Sequence, residues 1–103
     1  MKIIKKGRYY MHADSSKYHL HPSYVYKKND KNNRYNIVTF TSSKGKNRIK
    51  LNKNINPNSD KDCYVLNNPQ IVKRKSFDKE LFGYKVTDSR DKYIIKKIAS
   101  KKK

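Results

Sequence analysis

The sequence predicts a mainly β (α+β) fold, a small barrel of five to six short strands with a short C-terminal helix. The apolar residues of this 103-residue chain are mostly Ile, Val, Tyr and Phe, which favour strands, and only four are Leu. Short apolar stretches alternate with polar turns along the chain. The length predicts one domain, residues 1–103, with room for a single small core.

Four strands are predicted in the N-terminal half. The first covers about residues 8–13. The clearest hairpin joins strands near 24–26 and 35–40 through the polar stretch 27–34, which is rich in the turn-forming residues Asn and Asp. After the break at Gly45, the alternating segment "NRIKL" predicts a further short strand over 47–51.

The C-terminal half predicts two more strands, 63–66 and 70–73, after a polar loop over 52–62. The stretch "SFDKELFGYKV" (76–86) is interpreted as a short helix or turn, with Ser76 as its cap.

A terminal helix is predicted from the spacing of Ile94, Ile95 and Ile98, which places them on one helical face. Lysines close this segment, where they suit the negative end of the helix dipole. Residues 100–103 are predicted to form a frayed tail.

The charge of the chain indicates a polyanionic partner. Twenty-seven Lys and Arg face eight Asp and Glu, a net charge of +19. An AT-rich coding bias would enrich Lys but would also supply Glu, and Glu80 is the only one. Nucleic acid is therefore the expected partner. A membrane surface is not, because no long basic amphipathic helix is visible.

Targeting and redox features are sparse. The N-terminus "MKIIKKGRYY" offers only two consecutive apolar residues, and no apolar run reaches membrane-spanning length. Cys63 is the only cysteine, so no internal disulfide is available and burial as a small hydrophobe is expected. These features predict a cytoplasmic location.

The stretch "VTFTSSKGK" (38–46) has two interpretations. In one, a strand simply ends, with its hydroxyls in water and its lysines on the surface. In the other, hydroxyls and a lysine converge on a phosphate, helped by backbone N–H groups near Gly45. Alternation places Val38 and Phe40 on one strand face and Thr39 and Thr41 on the other.

The histidines offer proton exchange near neutral pH. His19 and His21 share a strand face, although each alone is typical of a polar surface residue. A metal site of His12, His19, His21 and Cys63 matches no standard zinc spacing. Scattered aspartates, with no acidic cluster and no P-loop, disfavour a metal-dependent nuclease or an NTPase.

Four stretches in the same order resemble the MazF/PemK superfamily of toxin endoribonucleases, most closely its ToxN/AbiQ-like branch. They are "IKKGRYYMHAD" (4–14), "HPSYVYKKND" (21–30), "IVTFTSSKGK" (37–46) and "DCYVLNNPQIVKRKSF" (62–77). Thr41-Ser42-Ser43-Lys44 resembles the Thr-Ser-x-Lys form of that branch. The match spans roughly residues 4–83.

The resemblance implies an SH3-like barrel that cuts single-stranded RNA without metal or other cofactor. It leaves a 2′,3′-cyclic phosphate and a 5′-hydroxyl. By position, Thr41 and Ser42 would hold phosphate oxygens, and Lys44 would neutralise developing charge or take part in proton transfer. His21 stands where the family often has Arg, and is either a general acid or base or a substitute donor.

The resemblance also implies a toxin of a toxin–antitoxin system, with a role in phage defence. Its ToxN-like branch is inhibited by a folded RNA, and the net charge of +19 favours that antitoxin over an acidic protein. An oligomer with the antitoxin is one expected assembly. Two features depart from the pattern. Many relatives have an acidic residue in place of Arg8, and a longer glycine-rich loop in place of the short segment "SSKYHLHP". The resemblance therefore does not indicate which RNA sequence is cut.

Candidate RNA-binding residues are basic side chains near the predicted strand ends, with one tyrosine for base stacking. They are Lys27, Lys28, Arg34, Lys46, Arg48, Lys73, Arg74 and Tyr24. The same residues also suit a non-catalytic nucleic-acid-binding barrel. A third interpretation is an inhibitor that competes with another enzyme for nucleic acid.

Overall fold

The computed structural model describes residues 3–13, 20–29 and 31–101. Within them lie seven antiparallel strands, a 3₁₀ turn and one α-helix. The elements are β1 (Tyr9–Ala13), β2 (Leu20–Asn29), β3 (Arg34–Thr41), β4 (Arg48–Lys50), β5 (Tyr64–Leu66), β6 (Gln70–Lys73), the 3₁₀ turn (Arg74–Ser76), β7 (Phe77–Glu80) and α1 (Ser89–Ala99).

The strands form one sheet in the order β4-β5-β3-β2-β1-β7, with β6 also paired to β3. One edge of β3 pairs with β2. Its other edge is divided, because residues 34–37 pair with β6 whereas Phe40 and Thr41 pair with β5. In the part of the chain that the structure describes, the sheet is unclosed, and β4 and β7 are its end strands.

The strand β3 is buried on both faces, and this divides the core. Val38 and Phe40 belong to a cluster that includes Ile95 and Ile98 of α1. Tyr35 and Ile37 point the other way, into a second cluster with Ile4, Tyr10, Val25 and Phe77. The sequence predicts a single small core, but the N-terminal segment and β7 bury the second face as well.

The segment 76–86, interpreted from sequence as a short helix or turn, contains β7 followed by a turn at residues 82–83, and no α-helix. Residues Phe77–Glu80 form β7, which pairs with β1, so the described strands number seven rather than five to six. The Phe77 ring lies 5.5 Å from the Tyr10 ring and 5.4 Å from the Tyr35 ring. These contacts, together with the free edge of β1, override the local preference of the segment.

The predicted cap is also wrong. Ser76 is the last residue of the 3₁₀ turn, and its hydroxyl donates to the Lys73 carbonyl at 2.9 Å. At the far end of β7, Glu80 lies 3.6 Å from the Arg8 guanidinium. The single Glu of the chain thus faces Arg8.

The terminal helix is confirmed. Ile95 and Ile98 are buried and Ile94 is half-buried. The Asp88 carboxylate caps the first turn by accepting a hydrogen bond from the Asp91 N–H at 3.1 Å. This helix is not long or apolar enough to cross a membrane, and it is the only one among the described residues.

The chain continues in contact with the sheet just after α1. The Lys101 ammonium donates to the Asn67 carbonyl at 2.7 Å and to its side-chain oxygen at 3.0 Å. Of the predicted frayed tail, residues 102–103 lie outside the described residues.

The loop between β4 and β5 is held to α1 by a buried carboxylate. Asp91, only 1% exposed, accepts hydrogen bonds from the backbone N–H groups of Asn52 (2.8 Å) and Lys53 (3.0 Å). Leu51 and Ile55 insert into the core beside it. The loop is therefore a defined part of the fold, although its composition is polar.

We expect Asp91→Asn to lower the free energy of unfolding by about 1.5–3 kcal/mol, because an amide has one acceptor oxygen for two N–H donors and carries no charge. Urea denaturation followed by circular dichroism measures the change. Asp60→Asn, on the exposed side of the same loop, is the matched control and should stay within about 0.5 kcal/mol of wild type. Equal stability of both variants would contradict the anchoring role of Asp91.

Candidate functional site

A cleft of about 180 Å³ lies where β2 begins and β3 ends. The antiparallel register pairs Ser23 with Thr39, and continuing it places His21 level with Thr41. His21, Thr41 and Ser42 all line this cleft. The structure thus brings together three of the four predicted catalytic residues.

The two hydroxyls of the cleft differ in exposure. Thr41 is buried, and its Oγ1 accepts a hydrogen bond from the Ser43 N–H at 3.3 Å, which begins the turn after β3. Ser42 is exposed. Ser42 and Lys44 lie on the surface, as the first interpretation expects, whereas Thr41 is buried and its hydroxyl shapes the backbone. Ser42 therefore offers the accessible hydroxyl.

The cation that contacts this turn is Arg48. Its Nη1 donates to the Ser43 carbonyl at 2.7 Å. A Cβ at Gly45 would lie 3.5 Å from the Arg48 side chain, an ordinary van der Waals contact, so this approach does not require glycine. Lys44 is exposed and is not among the residues that line the cleft.

The opposite wall comes from the loop anchored by Asp91. Asn54, Asn56 and Asp62 line the cleft there. Sequence reasoning missed this wall because the loop is polar. The apolar residues Leu51 and Ile55 inside it were the available signal that it packs on the sheet.

Asp62 brings a carboxylate to a cleft for which the sequence predicts an anionic ligand. Its Oδ1 lies 3.6 Å from the Lys50 ammonium, and both side chains are about three-fifths exposed (62% and 61%). Such an exposed pair adds little stability. Its effect is local, because Lys50 offsets the negative charge beside the cleft.

Cys63, which also lines the cleft, is buried as expected and forms no disulfide. Burial raises the pKa of the Cys63 thiol, and a backbone hydrogen bond at Ile55 only partly opposes this. The thiol is therefore neutral near pH 7 and behaves as a small apolar group.

A buried polar network lies beside His21. His12 is 1% exposed, and is not the polar surface residue expected from sequence. Its Nε2 lies 3.3 Å from Thr39 Oγ1, and the Thr39 hydroxyl donates to Gln70 Oε1 at 3.0 Å. The His12 and His21 rings, paired across β1 and β2, have centroids 6.4 Å apart. The network holds His12 in place beside His21.

The predicted RNA-binding residues fall into separate places. Lys46 and Arg48 lie in or just after the turn beside the cleft. Five others lie at the opposite end of the sheet, because eight residues of β3 at roughly 3.3 Å each separate its ends by about 23 Å. These five, the distal cations, are Lys27, Lys28, Arg34, Lys73 and Arg74.

Two of the distal cations are held by contacts of their own. The Lys28 ammonium donates to the Ile4 carbonyl at 3.4 Å, and Arg74 Nε donates to the Tyr35 hydroxyl at 3.2 Å. Tyr24, the predicted stacking residue, lies near the middle of β2, with its ring 4.9 Å from that of Tyr9. It belongs to neither of these two basic groups.

The described residues contain no group of three or more His, Cys, Asp or Glu side chains that could hold a metal ion. His19, a member of the metal set considered from sequence, lies outside them. Comparison with known proteins finds no matching family model and no matching curated protein.

We expect Thr39→Val to lower the free energy of unfolding by about 1–3 kcal/mol, because the change keeps the side-chain shape but removes a buried hydroxyl that bridges His12 and Gln70. Thermal and urea unfolding measure it. Thr87→Val, at an exposed position, is the control and should have little effect. If the two variants were equally stable, the bridge would have no structural role.

Proposed function

We propose that this protein is a metal-independent endoribonuclease that cleaves single-stranded RNA, acting in the cytoplasm as the toxin of a toxin–antitoxin system. The observation that carries the proposal is the meeting of His21, Thr41 and Ser42 in one cleft of a chain with a net charge of +19. Distant parts of the sequence supply a proton-exchanging group and phosphate-binding hydroxyls to the same small space.

The proposal includes an SH3-like barrel as the form of the sheet. Its support is the behaviour of β3, which exchanges one partner, β6, for another, β5, along a single edge. A sheet that changes partners in this way can curl around one central strand. Apolar clusters on both faces of β3 accompany that curvature.

In the proposed reaction, the 2′-oxygen of the RNA forms a bond to the adjacent phosphorus as the bond to the 5′-oxygen breaks. The 2′-hydroxyl loses a proton and the departing 5′-oxygen gains one, so the products are a 2′,3′-cyclic phosphate and a 5′-hydroxyl. His21 is the cleft residue suited to exchange one of these protons. Ser42 and Thr41 donate hydrogen bonds to the non-bridging oxygens, where negative charge accumulates.

A cation must complete this site, and Lys44 and Arg48 are two candidates in or just after the turn. Lys44 matches the pattern that the resemblance implies, on a flexible exposed side chain. Arg48 is supported by its contact with the Ser43 carbonyl, which holds the guanidinium beside the turn. A planar guanidinium can bind two phosphate oxygens at once. We therefore include Arg48 with Lys44 as a candidate for stabilising the developing charge.

The distal cations suit a second role, contact with a folded RNA antitoxin. Their positions along β3 are about 16–23 Å from the strand end at the cleft, so an RNA that contacts both regions must span that distance. Each lysine–phosphate contact releases counterions, so many such contacts raise the affinity for a folded RNA. The proposal therefore favours an RNA antitoxin, with a toxin–RNA oligomer as the inhibited form.

We expect Ser42→Ala to slow RNA cleavage by about 10²–10³-fold, because it removes a donor to the phosphate oxygens. The measurement is single-turnover cleavage of a long single-stranded RNA in excess EDTA, with analysis of the product ends. Ser43→Ala is the matched control, since Ser43 is the exposed neighbour and does not line the cleft. Comparable rates for the two variants would remove Ser42 from the site. Lys44→Ala and Arg48→Ala in the same assay show which cation acts.

A proton-transfer role for His21 predicts a cleavage rate that changes between about pH 5 and 8, and a loss of about 10²–10⁴-fold in His21→Gln. His21→Arg separates the alternatives, because Arg can donate hydrogen bonds but cannot exchange a proton in this range. We expect little activity in His21→Arg. A flat profile with an active His21→Arg would instead assign His21 as a simple donor.

A second candidate function is a non-catalytic nucleic-acid-binding module. The distal cations favour it, because they form a basic surface that does not depend on the cleft. Salt-sensitive RNA binding without cleavage by wild-type protein, in the presence or absence of EDTA, would support this function and exclude the nuclease.

A further inference from the structure

An apolar pocket of about 440 Å³ lies between α1 and the sheet, away from the distal cations. Its volume is in the range of small-ligand sites, about 300–1,000 Å³. The catalytic cleft, at about 180 Å³, is much smaller. The pocket has room for a group that the cleft cannot take.

The floor of the pocket is aromatic. Tyr9 and Tyr24 line it with ring centroids 4.9 Å apart, and Val86, Ile95 and Ala99 form its walls. Burial, reinforced by the neighbouring Tyr24, raises the pKa of Tyr9 to about 12. The Tyr9 phenol is therefore neutral under ordinary conditions and adds no negative charge to the floor.

The rim of the pocket is cationic. Lys85, Lys92 and Lys96 line it, and none of its lining residues is acidic. Lys92 and Lys96 are four positions apart and flank Ile95, so they share the helical stripe that faces the pocket. A ligand with a flat apolar part and a nearby anionic group would therefore contact the aromatic floor with the first and the lysines of the rim with the second.

We propose that this pocket binds an unstacked base of single-stranded RNA, with the flanking phosphates held by Lys85, Lys92 and Lys96. Aromatic side chains bind bases of any sequence by stacking, and lysines track the phosphates. The net charge of +19 and the absence of acidic lining residues favour a polyanionic occupant over an uncharged one. The inference rests on the proposed function for the identity of its ligand.

The pocket and the catalytic cleft are close neighbours. Phe40 lines the cleft, and its ring lies 6.2 Å from the Tyr9 ring at the floor of the pocket. The chain from Tyr84, at the cleft, to Val86, at the pocket, runs between them. A base held in the pocket can therefore position a nearby phosphodiester of the same strand.

The test is binding of a 2′-O-methyl RNA of about ten nucleotides, a length within one binding-site size for small barrels. It lacks the nucleophile and cannot be cut, so binding is measured whether or not the protein is a nuclease. Tyr24→Leu should raise Kd by about 5- to 150-fold, the range expected when one base is no longer stacked. Tyr93→Leu is the control, because Tyr93 is 61% exposed on α1 and outside the pocket.

Because Tyr24 also packs on Tyr9, a surface variant provides a second test. The double variant Lys92→Gln/Lys96→Gln should reduce the salt dependence of log K by about 1.4, or about 0.7 for each phosphate that no longer has a lysine beside it. Lys79→Gln/Lys97→Gln removes the same charge at exposed positions outside the pocket and should change the slope much less. Equal slopes for the two double variants would overturn the proposal.

A direct probe is adenosine 5′-monophosphate, followed by NMR of the methyl groups of Val86, Ile95 and Ala99. Shifts confined to these methyls support the base-binding pocket. Shifts with dodecanoate but not with the nucleotide would overturn it in favour of an amphiphile site. If wild type cleaves RNA while the Tyr24 and lysine variants match their controls, only the pocket proposal fails. If RNA binding depends on these residues but wild type does not cleave RNA, the pocket proposal is supported and the nuclease function is excluded.

Discussion

The structure depends on a single buried carboxylate, that of Asp91, which joins the helix to the loop between β4 and β5. It accepts backbone hydrogen bonds from Asn52 and Lys53, and the Asp88 cap orders the helical turn that carries it. A buried charge is costly unless it is hydrogen-bonded. Because Asp91 is on the helix and its N–H donors are on the loop, the two segments must be ordered together. The loop walls the cleft and the helix walls the apolar pocket, so one interaction fixes both candidate sites.

The central strand provides the second constraint. The strand β3 is buried on both faces, and every side chain from Ile37 to Thr41 is buried. Thr39 is a buried polar position within it, and it is satisfied by His12 and Gln70 from neighbouring strands. Accessible chemistry begins only at Ser42, where the strand gives way to a turn. The accessible hydroxyl is therefore at the strand end, where the chain leaves the rigid scaffold.

The sequence could predict those features that depend on local pattern. The isoleucines of α1 and the turn-rich hairpin identify their elements, and alternation in β3 separates Val38 and Phe40 from the threonines. Three features depend instead on distant partners, which local pattern does not identify. These are β7, which needs the free edge of β1; the burial of His12, which needs Thr39; and the anchoring of the loop by Asp91. Thr41, Ser42 and His21 were singled out by the family resemblance rather than by spacing. The contact of Arg48 with the Ser43 carbonyl was not predicted, because it crosses a turn.

The unclosed sheet also has consequences for how copies of this chain meet. Its end strands, β4 and β7, have only three and four residues, and both carry charged side chains, among them Lys50 and Lys79. Short, charged edges are poor templates for pairing with another strand, and so resist the edge-to-edge aggregation to which sheet-rich proteins are prone. Repulsion between chains of net charge +19 acts in the same direction. Neutralisation by a polyanion would remove this repulsion, so colloidal stability should depend on the ratio of nucleic acid to protein.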